Sequence, residues 1–291
     1  MDKKILLTGV TGLIGKEVIK PLLDYGYELY ALTIDNNNPD CGVNWIKCNL
    51  FDETSLKNTF EKIKPTHLLN FAWATTGDYL TSNINFEFVK AGLNLLKYFK
   101  ENGGKSAVYV GTCFEYQFKD EKLKETDALN PQTVYAKSKD CLHTLAQAFC
   151  EQNKISFGYG RIFFVFGRKE NEKRLTSHII KSLREGKEVN IINGDFVRDY
   201  MYAKDIAGAF AKFVDSNVAG TVNICTGKGI SLKDYALTIG KKLGKENLIN
   251  IKYEALDQPM FIVGDNSRLL NEVGYKIQYS FEKAIDEILE D

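Results

Sequence analysis

Lys4-Ile-Leu-Leu-Thr8 runs without a spacer into Gly9-Val-Thr-Gly12-Leu-Ile-Gly15, and an amphipathic stretch over Ile14 to Leu23 follows. An apolar strand, a glycine turn and a helix in immediate succession decide the fold. Gly9 permits the tight turn, Gly12 lets the backbone approach a pyrophosphate, and Gly15 lets helix and strand pack closely. The helix start offers unpaired N–H groups and the positive end of its dipole, so Thr11, Leu13 and Ile14 join the three glycines as candidate cofactor contacts. Three glycines at this spacing mean little in isolation. At the strand-to-helix junction of a first βαβ unit they specify a dinucleotide-binding turn.

Outward from the turn, short β-rich runs alternate with longer amphipathic stretches. Strands are expected at Lys4 to Thr8, Glu28 to Ile34, Trp45 to Cys48, His67 to Phe71, Ala107 to Val110 and Ser156 to Val165. Helices are expected at Ile14 to Leu23, Glu53 to Lys62, Phe86 to Lys100 and Tyr135 to Cys150. Alternation of this kind builds an α/β fold, a Rossmann-type doubly wound parallel sheet. Past Gly167 the alternation loosens and the charged run Arg168 to Arg174 appears. The expected division is a dinucleotide-binding domain over residues 1–166 and a smaller α/β substrate-binding lobe over 167–291. Chain is expected to return to the main sheet at Val197 to Tyr202 and at Gly220 to Cys225.

An acidic residue near the end of the second strand ordinarily accepts the adenosine ribose hydroxyls. Counted from Gly26, Thr33 stands where that carboxylate is expected and Asp35 falls two residues late. No Arg or Lys follows in the loop to hold a 2′-phosphate. Thr33 and Asp35 are both candidate ribose contacts, and the displaced carboxylate tilts the expected cofactor toward NADP(H), with NAD(H) open.

Tyr135-Ala-Lys-Ser-Lys139 opens a helix after Asn130-Pro131, and the four-residue spacing puts the phenol and the ammonium on one face. A tyrosine near its ordinary pKa of about 10 is a poor acid–base group at neutral pH, and a nearby cation favours the phenolate. The fifth strand ends in Thr112, whose hydroxyl suits a substrate oxygen while Tyr135 transfers a proton. Thr112, Tyr135 and Lys139 are therefore the candidate catalytic residues.

The glycine turn, Thr112, the Tyr135/Lys139 pair and three later segments together resemble the extended short-chain dehydrogenases that act on nucleotide sugars, namely 4-epimerases, 4,6-dehydratases and 4-keto reductases. Those segments are Arg161-Ile-Phe-Phe-Val-Phe-Gly167, Arg198-Asp-Tyr-Met-Tyr-Ala-Lys-Asp205, and Asn223-Ile-Cys-Thr-Gly227 with Asp265-Asn-Ser-Arg-Leu269. The resemblance spans nearly the whole chain. It implies that a nicotinamide dinucleotide lies across Gly9 to Gly15, Asn49, Leu50, Phe71, Ala72, Trp73 and the Tyr/Lys pair. It also implies a sugar nucleotide under the C-terminal lobe, against Thr75, Cys113, Phe114, Phe164, Arg174 and Arg198, with the two arginines on the diphosphate. A homodimer is a further implication. Phe164 and Lys204 depart from the asparagine and the acidic residue that such enzymes often carry there.

Dehydratases of this kind carry an Asp-Glu pair directly after the hydroxyl residue, and Cys113 and Phe114 cannot share that work. Glu115 comes one place late and, on a continuing strand, points to the opposite face. What remains is one hydride transfer, the reduction of a nucleotide-linked 4-keto-6-deoxyhexose, or two on a retained cofactor, a 4-epimerisation. The bulky Phe114 favours reduction, because an epimerase needs room to turn its keto intermediate. A non-catalytic NAD(P)-binding sensor or scaffold is the third reading, since a fold alone never proves activity.

With 291 residues, of which 44% are hydrophobic, the chain can bury a core without metals or disulfides. Its 38 basic residues balance 38 acidic ones and are scattered, so nucleic-acid and anionic-membrane partners are not expected. Cysteines at 41, 48, 113, 141, 150 and 225 lack the paired spacing of metal or redox motifs and read as reduced cytosolic thiols. No apolar run suits a membrane helix, so a cytoplasmic protein is expected. His67, His143 and His178 share no ligand spacing, and no metal site is expected.

Overall fold

The computed structural model describes residues 3–35 and 41–290; the Asn36 to Asn38 run lies outside the described residues. Seven strands form the central sheet: β1 (Lys4–Thr8), β2 (Glu28–Thr33), β3 (Val43–Lys47), β4 (His67–Asn70), β5 (Ser106–Thr112), β6 (Ser156–Ile162) and, much later in the chain, β11 (Gly220–Ile224). Their order is β11-β6-β5-β4-β1-β2-β3, and every pairing is parallel. Ile5, Leu6 and Leu7 are all fully buried, as both faces of a parallel sheet covered by helices require.

One face of the sheet packs on α1 (Gly15–Asp24) and α6 (Ala203–Asp215), through Val18 and Leu22 against Ala207, Phe210 and Ala211. The other face is covered by α2 (Glu53–Ile63), α3 (Ile84–Glu101) and α4 (Val134–Asn153), which contribute Phe60, Leu95, Phe99, Leu142 and Ala146 to a second core. Strand order reverses between β1 and β4, and a crevice opens beyond the carboxyl ends of the strands there.

The run Ser156 to Val165 divides at Phe163, which turns into a small cluster with Cys113, Tyr116, Leu123, Cys225 and Ile262. The chain then leaves the sheet as β7 (Phe164–Phe166). A third core sits in the C-terminal part, where α5 (Leu175–Arg184), α7 (Leu232–Leu243) and α8 (Phe281–Leu289) bury Ile179, Leu183, Tyr235, Ile239 and Ile285. Three small sheets accompany them. β8 (Val189–Ile192) pairs with β13 (Ile249–Lys252), β9 (Val197–Arg198) with β12 (Ile230–Ser231) and β14 (Phe261–Ile262), and β10 (Tyr200–Tyr202) with β7.

Gly220 to Cys225 rejoins the main sheet as expected, but Val197 to Tyr202 does not. Asp199 is the reason. It is fully buried and accepts hydrogen bonds from the Thr226 N–H at 2.8 Å, the Thr226 hydroxyl at 2.6 Å and the Gly227 N–H at 2.9 Å, which ties the segment to the loop after β11.

Candidate active site

The glycine turn is built so that backbone meets backbone. At Gly9, with φ of +67°, a Cβ would lie 2.7 Å from the Ala72 nitrogen. At Gly15 it would lie 2.2 Å from the Gly9 carbonyl oxygen. The turn closes with the Gly12 N–H donating to Gly9 O at 3.1 Å. No side chain caps the α1 N-terminus, and among the described residues the Leu13 and Ile14 N–H groups have no acceptor in the chain. These groups face a cavity of about 690 Å³, a size suited to a small-molecule or cofactor site.

Beyond Gly9, Thr11, Gly12, Leu13, Ile14 and Gly15, the walls of that cavity hold Thr33, Asn49, Leu50, Phe71, Ala72 and Trp73. Asp35 is exposed and off the wall; its backbone N–H donates to the Thr33 hydroxyl at 3.0 Å. The chain leaves β2 after Thr33, which carries the carboxylate out past the cavity rim.

Thr112, Tyr135 and Lys139 meet on the same wall. Thr133 caps α4 by accepting from the Ala136 N–H at 3.1 Å, and the Tyr135 N–H donates to Leu80 O at 3.1 Å, so the first turn of the helix is pinned. The Thr112 hydroxyl accepts from the Phe114 N–H at 3.3 Å and shares the wall with the Tyr135 phenol. The Lys139 ammonium donates to Val110 O at 2.8 Å and lies 3.8 Å from the centre of the Trp73 ring.

Electrostatics here depart from the sequence expectation that Lys139 lowers the Tyr135 pKa. Burial pushes the phenol up from its ordinary value, the Tyr79 phenol adds to this, and the neighbouring Thr112 hydroxyl opposes it. Burial likewise pulls the Lys139 ammonium down to about 7, opposed by the charge of Glu115. Desolvation is the largest influence on each of the two groups.

Toward the C-terminal lobe the wall carries Thr75, Phe114, Phe164 and Arg174. Phe114 and Phe164 meet with ring centroids 6.0 Å apart and narrow this end. Two expected substrate contacts are displaced. Cys113, at the start of the 3₁₀ turn over Cys113–Glu115, is fully buried in the cluster with Phe163 and Cys225. Arg198 is buried off the cavity wall, donating to Val197 O at 2.9 Å and Met260 O at 3.2 Å with its guanidinium against the Phe164 and Phe196 rings. Arg174, in a run that reads as solvated charge, is the arginine on the wall.

Sequence reasoning passed over Tyr79, whose ring meets Tyr135 edge-on at 5.1 Å, and Glu170, a buried carboxylate on the wall near Arg174. It set Glu115 off the site, where the structure has it, but missed its partner. The same 3₁₀ turn swings that carboxylate inward, where Arg161 Nε donates to it at 2.7 Å. The signal available was a lone Arg on a buried strand, for which a buried acid is the natural partner. Glu115, Asp140 and His143 bring potential ligand atoms within 4.8 Å of one another, but the Arg161 guanidinium already occupies the cation's place beside Glu115.

Residues 5–225 match the model of the NAD dependent epimerase/dehydratase family. The chain belongs to this family. A relative is the GDP-6-deoxy-D-talose 4-dehydrogenase of Aggregatibacter actinomycetemcomitans, 26% identical, with 97% of this chain and 95% of that protein aligned. Another is the dTDP-4-dehydro-6-deoxyglucose reductase of Escherichia coli, 23% identical over 98% of this chain and 96% of that protein. The fold is shared with the UDP-glucose 4-epimerase of Thermotoga maritima, solved with UDP-glucose, at a TM-score of 0.88 and 19% identity over 99% and 97% of the two chains.

As a member of the NAD dependent epimerase/dehydratase family, the chain should accommodate a nicotinamide dinucleotide, and its residues fit one. A cradle that a single Cβ would fill, an uncapped helix N-terminus facing the cavity, and a Tyr/Lys pair at its far end are the required parts. The expected tilt toward NADP(H) finds no support. At the Thr33 end no Arg or Lys stands on the wall among the described residues, and the sequence from Ile34 to Gly42 contains neither. Among the described residues no helix is long and apolar enough to cross a membrane, and all six cysteines are free thiols.

Proposed function

We propose that the protein reduces the C4 keto group of a nucleotide-linked 4-keto-6-deoxyhexose with NADH. The observation that carries this reading is that Thr112, Tyr135 and Lys139 meet on one wall of a dinucleotide-sized crevice. When bound, the reduced nicotinamide supplies a hydride to the sugar C4. Tyr135 gives its phenolic proton to the developing alkoxide at O4, and the Thr112 hydroxyl holds that oxygen in register. Lys139, pulled down to about 7, carries a proton it can pass toward the phenolate near neutral pH. Arg174 meets the diphosphate with a planar pair of donors.

Reduction is preferred to the other reactions of the family on two grounds. Phe114 and Phe164 close the sugar end, leaving little space for a keto intermediate to turn over as 4-epimerisation demands. Dehydration lacks its acid and base, since Cys113 is buried away from the cavity and Phe114 is apolar. The names of the two relatives, a 4-dehydrogenase and a reductase of 6-deoxyhexose nucleotides, agree with this choice. Pairing of two chains through α3 and α4 is supported by the exposed Phe86 and Leu145 on those helices.

The test is a spectrophotometric screen of nucleotide-linked 4-keto-6-deoxyhexoses with NADH and NADPH. Net cofactor oxidation by one of them is expected, lowered by about 100-fold or more in Tyr135→Phe. Interconversion of two hydroxyl sugars with no net change in cofactor would instead establish an epimerase.

A further inference from the structure

Behind the wall that carries Thr112 and Lys139 lies a carboxylate for which the proposed reaction has no use. Glu115 is fully buried, and three donors converge on it. The Thr112 N–H reaches Oε1 at 2.8 Å, the Tyr159 hydroxyl reaches the same oxygen at 2.9 Å, and Arg161 Nε reaches Oε2 at 2.7 Å. The chain makes room for this arrangement at Gly111, where a Cβ would lie 2.3 Å from the Tyr159 ring and 2.8 Å from Glu115 Oε1.

Each bond leads back to the site. The Glu115 side chain and the Thr112 hydroxyl form a reciprocal cap, the hydroxyl accepting from the Phe114 N–H at 3.3 Å, so the Thr112 backbone is gripped from behind while its side chain faces the cavity. The Tyr159 hydroxyl also lies 3.1 Å from Lys139 O, which links the turn to α4 one residue before Asp140. His143 stacks on Tyr159 with ring centroids 3.8 Å apart and holds that phenol in place.

A buried ion pair is weak evidence for stability, because apolar residues of similar volume often serve as well. The charge has a second destination here. Arg161 lies on the far side, its guanidinium 4.6 Å from the Tyr116 ring centre. The Lys139 ammonium donates to Val110 O, two residues before the Thr112 N–H that Glu115 accepts, and Glu115 is the charge that opposes the burial of that ammonium. The other titratable groups around Glu115 do not substitute for it. Burial pulls His143 down to about 4, so it is neutral at pH 7; burial raises the Asp140 carboxyl and holds the Cys113 and Tyr116 side chains neutral.

We propose that Glu115 is a positioning residue of this site, whose buried carboxylate fixes the Thr112 backbone, is joined through Tyr159 to the α4 backbone at Lys139, and sets a negative charge behind that ammonium. The inference rests on the roles proposed above for Thr112 and Lys139.

Its test is the titration of Lys139 itself, followed by NMR in protein labelled with 13Cε-lysine, the resonance being assigned by its loss in Lys139→Met. In Glu115→Gln the midpoint should fall by about one pH unit. The alkaline limb of kcat/KM should move down with it, and kcat should drop about tenfold while KM for the keto sugar stays within about threefold. Tyr159→Phe keeps the charge and should lower kcat without moving the midpoint; Glu115→Asp should restore the midpoint.

Glu115→Gln leaves the Arg161 guanidinium facing an amide, so Glu115→Gln/Arg161→Met carries the same expectation if the single variant does not fold. A midpoint within about 0.2 pH unit of the wild type in either folded variant overturns the proposal. So does failure of both to fold, which would make the carboxylate structural. A shifted midpoint in a protein that turns over no keto sugar overturns the reading of the reaction and leaves the hold of Glu115 on Lys139 intact.

Discussion

Replacing Gly15 by alanine places one methyl group where the fold has none to spare. Its Cβ would lie 2.2 Å from the Gly9 carbonyl oxygen and 2.7 Å from Val10 Cα, both backbone atoms of the turn. Ordinary carbon contacts begin near about 3.5 Å, so helix and turn must separate by about 1.3 Å. Overpacking of this kind costs about 2 kcal/mol, which in a chain of this size lowers Tm by about 3 °C. The displaced N-terminus of α1 is the proposed pyrophosphate site, so dinucleotide affinity should fall by about tenfold or more.

Gly26→Ala is the matched control. Gly26 has φ of +78° and nothing within 4 Å of its would-be Cβ, so alanine there suffers only backbone strain of about 1–2 kcal/mol. Thermal melts should show comparable losses for the two variants, whereas calorimetric titration with NADH, carried out well below both melting temperatures, should separate them. Affinity in Gly15→Ala within about twofold of that in Gly26→Ala would refute the assignment of this turn as the pyrophosphate cradle.

Three further outcomes are expected. Lys139 has its folded pKa pulled down to about 7, so between there and its unfolded value the unfolded chain binds the proton and the folded chain does not. Stability to urea should therefore rise with pH between 7 and 10 by roughly 1 kcal/mol per pH unit on account of this group, and Lys139→Met should lose that rise; equal slopes would contradict the burial argument. Arg174→Ala should raise KM for the sugar nucleotide about tenfold with Tm unchanged, measured by initial rates and melts. Arg198→Ala should do the reverse, lowering stability by about 2–3 kcal/mol with KM nearly unchanged, because its guanidinium serves the carbonyls of Val197 and Met260.

The main sheet was legible because its signals are local. Ile5 to Leu7 and the glycines after them declare a buried parallel strand and its turn within a dozen residues, and Tyr135/Lys139 lie one helical turn apart. What escaped sequence reading depends on bends and on long-range partners. Strand β5 ends at Thr112, and the three residues of 3₁₀ turn that follow bury Cys113 beside Phe163 and Cys225 and bring Glu115 to Arg161. Arg198 lies off the wall expected for it because Val197 to Tyr202 is tied by Asp199 to the loop at Thr226, a pairing across 27 residues that no spacing announces. Burial likewise decides the state of Lys139, and burial depends on Trp73, 66 residues away, lying across its ammonium.

The central claim is a single hydride delivered to a sugar C4 beside Tyr135. It is tested most directly by incubating the protein with a nucleotide-linked 4-keto-6-deoxyhexose and NADH deuterated at the transferring position, then reading the product by NMR. One deuterium at C4, with one cofactor oxidised per sugar and none incorporated with Tyr135→Phe, is the predicted result. Product carrying no deuterium at C4, or formed equally well without the phenol, would contradict the account.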